Sequence, residues 1–512
     1  MRKHILLSGI KKLAGQTLWY GVPRIMARFL NFGISLLGFQ LYDPNGSYAY
    51  TQIYAVIPFL NILYTYGLET SFFRFAQTED KQKLYNTLNI SVLTSSILLS
   101  ALLLLFQGPL THFIEMDSHP EYVLWMIGIT FFDTLYTLPM SKLRLEERPR
   151  KYAFVNVSSI LLNILIVLFF FYVAKPAYEN NPNSWLGQCF DPSIGIGYFI
   201  LANLIASAAT LVLLYKEFAT FRFNFDSRLW KKVMNYSYPL IIVGFGGMIN
   251  EMLSRVVYRK VLHDTPQIEE FELGVFGANY KLAVLITIFI QIFRLAAEPF
   301  FFNQSKNENA QKTYARVMKF FVIACCIMFL VVALFLDVWK ILIASKHPVY
   351  AQGIHIVPIL AMGSVFLGIY YNLSIWYKLT NKNMYGAYIT IAGAVITIVM
   401  NIILIPLFRY TGAAWATFSC YAFMMLISYF LGQKFYPVPY PMKRILSYLC
   451  IAVSLFLVHQ GLGKWLSLAT NGRSMILFLA SLFMLFSFMA YIAFKEKEEL
   501  RKLPFIGKFI PA

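Results

Sequence analysis

The chain has 512 residues, of which 58% are hydrophobic and only 13% are charged, and its mean hydropathy is +0.59. About a quarter of the residues of an average soluble protein are charged, so this composition excludes an ordinary soluble protein. The net charge of +19 would suggest a nucleic-acid-binding protein only if the basic residues formed one surface.

Apolar blocks of about 20 residues, the length that crosses a hydrocarbon core of about 30 Å, recur along the whole chain. Fourteen such blocks predict spans 1 to 14, at residues 15–41, 48–73, 86–107, 122–140, 152–174, 195–215, 233–258, 273–302, 317–336, 351–376, 384–407, 412–432, 445–461 and 475–494. The connections between them are too short for a folded extramembrane domain. We therefore predict an all-α polytopic membrane protein with about fourteen transmembrane helices.

The basic residues lie mainly in alternate loops. With a cytoplasmic N-terminus, most of the 44 Lys and Arg fall in the inner loops and the two tails, as the positive-inside rule requires. This predicts a multi-pass protein of the plasma (cell inner) membrane with both termini in the cytoplasm. The basicity is thus explained by topology, and no nucleic-acid partner is expected. The segment "MRKHILLSGIKKLAGQ" lacks a cleavage site and is not interpreted as a signal peptide.

Cysteine and histidine residues indicate no catalytic or metal chemistry. The five cysteines and seven histidines show neither a metal-ligand spacing nor a disulfide framework. No loop pairs a nucleophile with a histidine base. We expect no metal, no cofactor and no enzymatic activity.

The sequence also contains an internal repeat. "LLNILIVLFF" around Asn163 recurs as "VMNIILIPLF" around Asn401, and Glu69 near the end of span 2 corresponds to Glu298 near the end of span 8 at nearly the same offset. Such duplication is common in transporters whose halves move around a central site. We predict a six-helix lobe over 1–225, a second six-helix lobe over 226–435, and a terminal two-helix hairpin with a basic cytoplasmic tail over 436–512.

Charged residues within the predicted spans are costly in a bilayer and mark functional sites. Ten are present: Arg24, Arg28, Glu69, Asp133, Glu251, Arg255, Lys281, Arg294, Glu298 and Lys319. Eight of these lie in spans 1, 2, 7 and 8, the first two helices of each predicted lobe. Helical spacing places the polar residues of each of these spans on one face, and Gln291 shares the face of Arg294 in span 8. We expect the four faces to border a water-filled cavity.

Some of these charges have nearby partners in the sequence. Glu251 with Arg255, and Arg294 with Glu298, are four residues apart and could pair within their own helices. Glu69 and Glu298 lie near the cytoplasmic ends and could dock the lobes. The set Glu69, Glu251, Arg294 and Glu298 also holds the candidates for ion coupling or gating. We interpret Asp133 and Lys319 as capping or snorkelling residues.

Arg24 and Arg28 are less easily explained by local pairing. They share one stripe of span 1 and have no acidic residue within four positions. One interpretation is that a distant acid neutralises them. The other is an anionic ligand, because a guanidinium suits bidentate contact with phosphate. The candidate substrate-binding residues are Arg24, Arg28, Arg255, Lys281 and Gln291.

The chain resembles the multidrug/oligosaccharidyl-lipid/polysaccharide exporter superfamily, and within it the polysaccharide-biosynthesis branch of lipid-linked oligosaccharide flippases. The resemblance is carried by "LRLEERPRKYAFVNVSSILLNI" (143–164), by "NIILIPLFRYTGAAWATFSCY" (401–421) and by "ANYKLAVLITIFIQIFRLAAEPFFF" (278–302). It implies two lobes around a central cavity and alternating access. It also implies a cargo of undecaprenyl-diphosphate-linked sugar, with Arg24 and Arg28 at the place where such members carry arginine in span 1.

The resemblance leaves alternatives open. The last two helices are similar to those of lipid II flippases, in which they help to form a groove for the lipid tail, so the cargo could be a polysaccharide unit or a peptidoglycan precursor. A cation-coupled multidrug exporter on the same scaffold is a rival, although such proteins favour carboxylates in the cavity. A membrane glycosyltransferase, polymerase or ligase is a further rival. The expected partners are a lipid-linked saccharide with a diphosphate headgroup, membrane lipids and a candidate coupling cation.

Overall fold

The computed structural model of the chain describes residues 25–305, 308–380, 382–467 and 473–501. Within these ranges every regular element is helical. Arg24 lies outside the described residues, as does the basic tail after residue 501.

The helices of the first half follow one another with short connections. They are α1 (Ile25–Leu41), α2 (Pro44–Thr65), α3 (Leu68–Phe75), α4 (Lys81–Leu105), α5 (Gln107–Phe113), α6 (Pro120–Leu145), α7 (Pro149–Phe169), α8 (Lys175–Asn180), α9 (Gly197–Leu213), α10 (Tyr215–Ala219), α11 (Ser227–Val256) and α12 (Tyr258–Leu262). A π-helical turn, Phe170–Ala174, continues α7 into α8. Two short 3₁₀ turns, Gly187–Cys189 and Pro192–Ile194, order the loop before α9.

The second half contains the longest helices. They are α13 (Pro266–Gln304), α14 (Ala310–Ala333), α15 (Leu336–Ala344), α16 (Val357–Leu373), α17 (Ile375–Leu379), α18 (Asn383–Phe435), α19 (Met442–Ser467), α20 (Arg473–Lys495) and α21 (Lys497–Leu500). A 3₁₀ segment, Pro348–Ile356, precedes α16.

Aspartate side chains cap three of these helices at their N-termini. Asp43 accepts from Gly46 N at the start of α2, and Asp80 accepts from Lys83 N at the start of α4. Asp226 accepts from Arg228 N and Leu229 N at the start of α11. A carboxylate in this position satisfies backbone N–H groups that the helix leaves without partners. These caps therefore help to set where the helices begin.

The number of spans agrees with the sequence prediction. Nine described helical segments are long and apolar enough to cross a bilayer, and α1 and α9 are shorter apolar helices. Together with α2–α3 and α11 they correspond to the fourteen predicted spans, because α18 contains spans 11 and 12. The prediction of an all-α polytopic membrane protein is confirmed.

The break within α18 lies at Arg409. A straight helix of 53 residues would be about 80 Å long at 1.5 Å per residue, far more than a bilayer core. Arg409 has a φ of 53° and a ψ of −138°, a backbone conformation that non-glycine residues rarely adopt. Its guanidinium contacts Glu272 at 2.5 Å and Asp264 at 3.0 Å, and these ion pairs stabilise the break.

The described residues form two compact units. Unit 1 contains those up to Gly277 together with Thr397–Arg409, and unit 2 contains Ala278–Ile396 and those from Tyr410 onward. The division of the sequence into lobes over 1–225 and 226–435 stays a prediction.

Within unit 1, α2 and α3 lie alongside α11. Gln52 donates to Val256 O at 3.4 Å near one end of the contact, and the hydroxyls of Ser71 and Ser237 are 2.6 Å apart near the other. Between these points Gly67 has a φ of +74°, and a Cβ added there would lie 2.9 Å from the Cβ of Leu240. A glycine is required at this position because the backbone is left-handed and the neighbouring helix is close.

Candidate functional site

Arg28 is the span 1 arginine that the structure describes. Its side chain is exposed on α1. Asn31 follows one helical turn later and therefore lies on the same side of the helix. A ligand could therefore reach the guanidinium of Arg28.

In α11, the polar face contains Glu251 and Arg255. Arg255 is only 7% exposed. Its Nη2 donates to Glu251 O at 3.0 Å and contacts the Sδ of Met252 at 2.7 Å. The guanidinium is therefore directed back along its own helix, and its predicted role in substrate binding stays a prediction.

Four further predicted residues belong to the part of α13 that lies in unit 2. Lys281 and Gln291 are partly buried, whereas Arg294 is exposed and its guanidinium carbon lies 4.8 Å from the centre of the Tyr371 ring. Oε1 of Gln291 is buried and accepts no hydrogen bond from the part of the chain that the structure describes. The side chain of Glu298 lies outside the described residues.

Glu69 has a partner in its own half of the chain. Its carboxylate accepts from Nη2 of Arg144, at the end of α6. Arg144 belongs to the "LRLEERPRK" segment, whose Arg148 and Lys151 both contact the buried carboxylate of Glu217 in α10, at 2.9 and 2.5 Å. This basic segment therefore connects the ends of several helices in unit 1 through ion pairs.

Unit 1 also contains a polar cavity of about 330 Å³ that the sequence analysis did not predict. It lies among α1, α2, α6, α7 and α9. Its polar lining includes Asn31, Tyr54, Asp133, Tyr136, Asn156, Ser159, Asn163, Asn203, Ser207 and Thr210. Buried amide and hydroxyl groups need hydrogen-bond partners, so a cavity with this lining suits a polar or charged occupant.

Asp133 is the carboxylate of this cavity. Tyr136 and Ser207 flank it. Asp133 Oδ1 and Asn163 Oδ1 are both buried and without a hydrogen-bond donor among the described side chains and backbone groups. Two such oxygens facing one cavity form an environment that suits a proton or a small cation.

The interpretation of Asp133 and Lys319 as capping or snorkelling residues is wrong. Asp133 lines the cavity in the middle of α6. Lys319 is 3% exposed and pairs with Glu496 and Glu499, because ionic partners stabilise a buried ammonium that cannot reach water.

The sequence does contain a signal for the polar cavity. Polar residues repeat at helical spacing in span 5, at Asn156, Ser159 and Asn163, and in span 6, at Asn203, Ser207 and Thr210.

A family model described as polysaccharide biosynthesis protein matches residues 16–305, which is more than half of the chain. The chain belongs to this family. A second model, MatE, matches residues 267–403, and both place the protein in the multidrug/oligosaccharidyl-lipid/polysaccharide exporter superfamily. Comparison with curated protein sequences gives no match.

Solved structures share the fold of this family member. The lipid II flippase MurJ in an inward closed conformation is 14% identical, with a TM-score of 0.65, and the alignment covers 93% of this chain and 99% of MurJ. An inward-facing MATE multidrug resistance transporter of the MOP superfamily is 12% identical, with a TM-score of 0.61 over 82% of this chain and 95% of that one. The Vibrio cholerae MATE transporter VcmN is 13% identical, with a TM-score of 0.57 over 83% and 97%. At these identities the comparison shows that the chain shares the fold of these three proteins.

Proposed function

We propose that this protein is a flippase that moves an undecaprenyl-diphosphate-linked oligosaccharide, a precursor of a cell-surface polysaccharide, from the inner to the outer leaflet of the plasma membrane by alternating access. The observation that carries the proposal is the match to the polysaccharide biosynthesis family over residues 16–305. The exposed guanidinium of Arg28 in the first span supports it.

The chemistry of the cargo explains the need for cationic side chains. A sugar–diphosphate head cannot cross hydrocarbon without polar partners, whereas its polyprenyl tail can remain in the lipid. The head enters from the cytoplasmic side and Arg28, with Arg24, binds the diphosphate. Arg255, Lys281 and Gln291 are the further residues that we propose for headgroup binding. A membrane potential that is negative inside favours outward movement of an anion by about 2.3 kcal/mol per charge per 100 mV.

The test is headgroup translocation in proteoliposomes. Arg28→Ala is expected to lower the translocation rate at least tenfold while the protein still inserts, and Arg28→Lys to restore part of the rate, because it keeps the charge but loses bidentate geometry. Arg150→Ala, which removes an exposed arginine at the start of α7, is the matched control and is expected to behave as wild type. Unchanged translocation by Arg28→Ala would remove the anion site from the proposal.

A lipid II flippase is the second candidate. It is supported by the similarity to MurJ, whose alignment covers 93% of this chain. Depletion of the protein, followed by identification of the lipid-linked saccharide that accumulates on the inner leaflet, discriminates between the two cargoes.

A cation-coupled multidrug exporter is the third candidate. The MatE match at residues 267–403 and the carboxylate-bearing cavity around Asp133 favour it. A deletion strain with a broadened drug-sensitivity profile, and with no accumulated lipid-linked saccharide, would establish this function in place of the flippase.

A further inference from the structure

Unit 2 contains an apolar groove of about 720 Å³ between α13, α14 and α20. Phe320, Ala324 and Ile327 of α14 line it. Phe289 of α13 and Ala493 of α20 also line it, and Ala493 is exposed. A groove with this lining between membrane helices suits a hydrocarbon chain.

A cluster of charged residues lies at one end of the groove. Glu496 accepts from Lys319, from Tyr448 at 2.5 Å and from Arg444 at 3.3 Å. Glu499 contacts Lys319 at 3.0 Å and Arg316 at 3.2 Å. The cluster therefore contains three cationic side chains and two carboxylates, and it retains one net positive charge.

The two arginines of this cluster remain accessible. The side chain of Arg316 is 61% exposed and that of Arg444 is 50% exposed, whereas Lys319 and Glu496 are buried. Arg316 and Glu499 also line the groove. An anionic group at this end would thus meet a guanidinium directly beside the apolar lining.

The cluster lies at the membrane depth that we expect for lipid headgroups. Arg316 and Lys319 lie in the first turns of α14, and Glu496 directly follows the end of α20 at Lys495. The charge distribution of the sequence predicts that these helix ends lie at the cytoplasmic surface. Headgroup phosphates of the inner leaflet would lie at the same depth.

Two sets of polar contacts join the C-terminal helices to α14 beside the groove. The buried cluster around Lys319 and Glu496 holds α20 against α14 at one end. Farther along α20, Ser481 Oγ lies 2.9 Å from Leu334 O and 2.8 Å from Nε2 of His459 in α19. The C-terminal hairpin therefore contacts α14 through polar groups at two points.

We propose that the groove is a binding site for an anionic phospholipid of the inner leaflet, with an acyl chain along α14 and the phosphate at Arg316, which lines the groove. The single net positive charge of the cluster matches a headgroup with one net negative charge. None of the candidate cargo-binding residues is among the residues that line the groove.

The experiment is native mass spectrometry of the full chain in detergent, after incubation with equal concentrations of phosphatidylglycerol and phosphatidylcholine. Wild-type protein is expected to retain phosphatidylglycerol at least fivefold more than phosphatidylcholine. Ala493→Phe, which fills the groove from an exposed position, is expected to lower retention of both lipids. Arg316→Gln is expected to remove the preference for phosphatidylglycerol.

The controls are Val395→Phe, at an exposed position of α18, and Arg150→Gln, and both are expected to bind as wild type. Equal retention of the two phospholipids by wild type would overturn the proposal. So would Ala493→Phe and Arg316→Gln binding as wild type. If an equal concentration of undecaprenyl phosphate displaces phosphatidylglycerol, the groove binds the polyprenyl lipid and the proposal of a phospholipid site is overturned. If Ala493→Phe does not fold, the loss or persistence of the preference in Arg316→Gln decides.

Discussion

Lys319 and Glu496 form an ion pair inside unit 2, although they are far apart in the sequence and their side chains are only 3% and 1% exposed. Tyr448 and Arg444 contact the same carboxylate. The pair joins α14 to the end of α20, so the C-terminal hairpin is attached to unit 2 through buried charges as well as apolar packing.

Removal of one partner of this ion pair is expected to lower the stability of the folded protein. Lys319→Met should lower the free energy of unfolding by about 3–5 kcal/mol, because Glu496 remains buried with a charge that has lost its closest partner. The double variant Lys319→Met/Glu496→Met should be more stable than Lys319→Met alone. Thermal unfolding in detergent measures both.

The matched control is Lys340→Met. Lys340 contacts Asp337 at 3.5 Å, but their side chains are 42% and 66% exposed, and an exposed pair contributes about 0–1 kcal/mol. Equal destabilisation by Lys319→Met and Lys340→Met would contradict the structural role of the buried pair.

The same cluster predicts a dependence of stability on pH. Burial would raise the pKa of Glu496, but hydrogen bonds from Lys319 and Tyr448 outweigh burial, so the pKa lies below its ordinary value of 4.5. A carboxylate with a lowered pKa in the folded state contributes stability above its unfolded pKa and loses that contribution as the pH falls through the folded pKa. We expect the unfolding temperature to fall below about pH 4.5, and to fall less steeply in Glu496→Gln. An identical pH profile for both proteins would exclude Glu496 as the titrating group.

Asp133 is expected to be required for coupling, not for folding. Asp133→Asn keeps the size of the side chain, and the cavity already contains several amide groups, so the unfolding temperature should change little. In proteoliposomes, any dependence of transport on a proton or Na⁺ gradient should disappear. The control is Asp337→Asn, which changes an exposed carboxylate. Gradient dependence that persists in Asp133→Asn would remove the coupling role from this cavity.

Gly67 is expected to be intolerant of substitution. In Gly67→Ala, a left-handed backbone costs roughly 1–2 kcal/mol for a residue with a Cβ, and the side chain of Leu240 must also move. The unfolding temperature should therefore fall. Gly108→Ala is the control, because a Cβ at Gly108 meets nothing within 4 Å. If both variants unfold at the same temperature, the contact between α3 and α11 does not require glycine.

Much of the architecture could be predicted from the sequence. The fourteen apolar blocks, together with the charge bias of the loops, predicted the helices because bilayer thickness sets the length of an apolar segment. The family resemblance was likewise available from short motifs, and the family match at 16–305 confirms it. The break at Arg409 was predicted only as the boundary between two apolar blocks.

The partners of the charged residues depended on the tertiary structure. Glu69 pairs with Arg144, Lys319 with Glu496, and Asp133 faces a cavity lined by five helices. Hydropathy and helical spacing describe one helix at a time, so they show that a charge lies in a span but not which distant side chain meets it. By itself the sequence determined a polytopic helical protein of a transporter family. Only the packing of helices distant in the sequence decided which intramembrane charges are neutralised and which face a cavity, because the energy of a buried charge depends on the groups within a few ångströms of it.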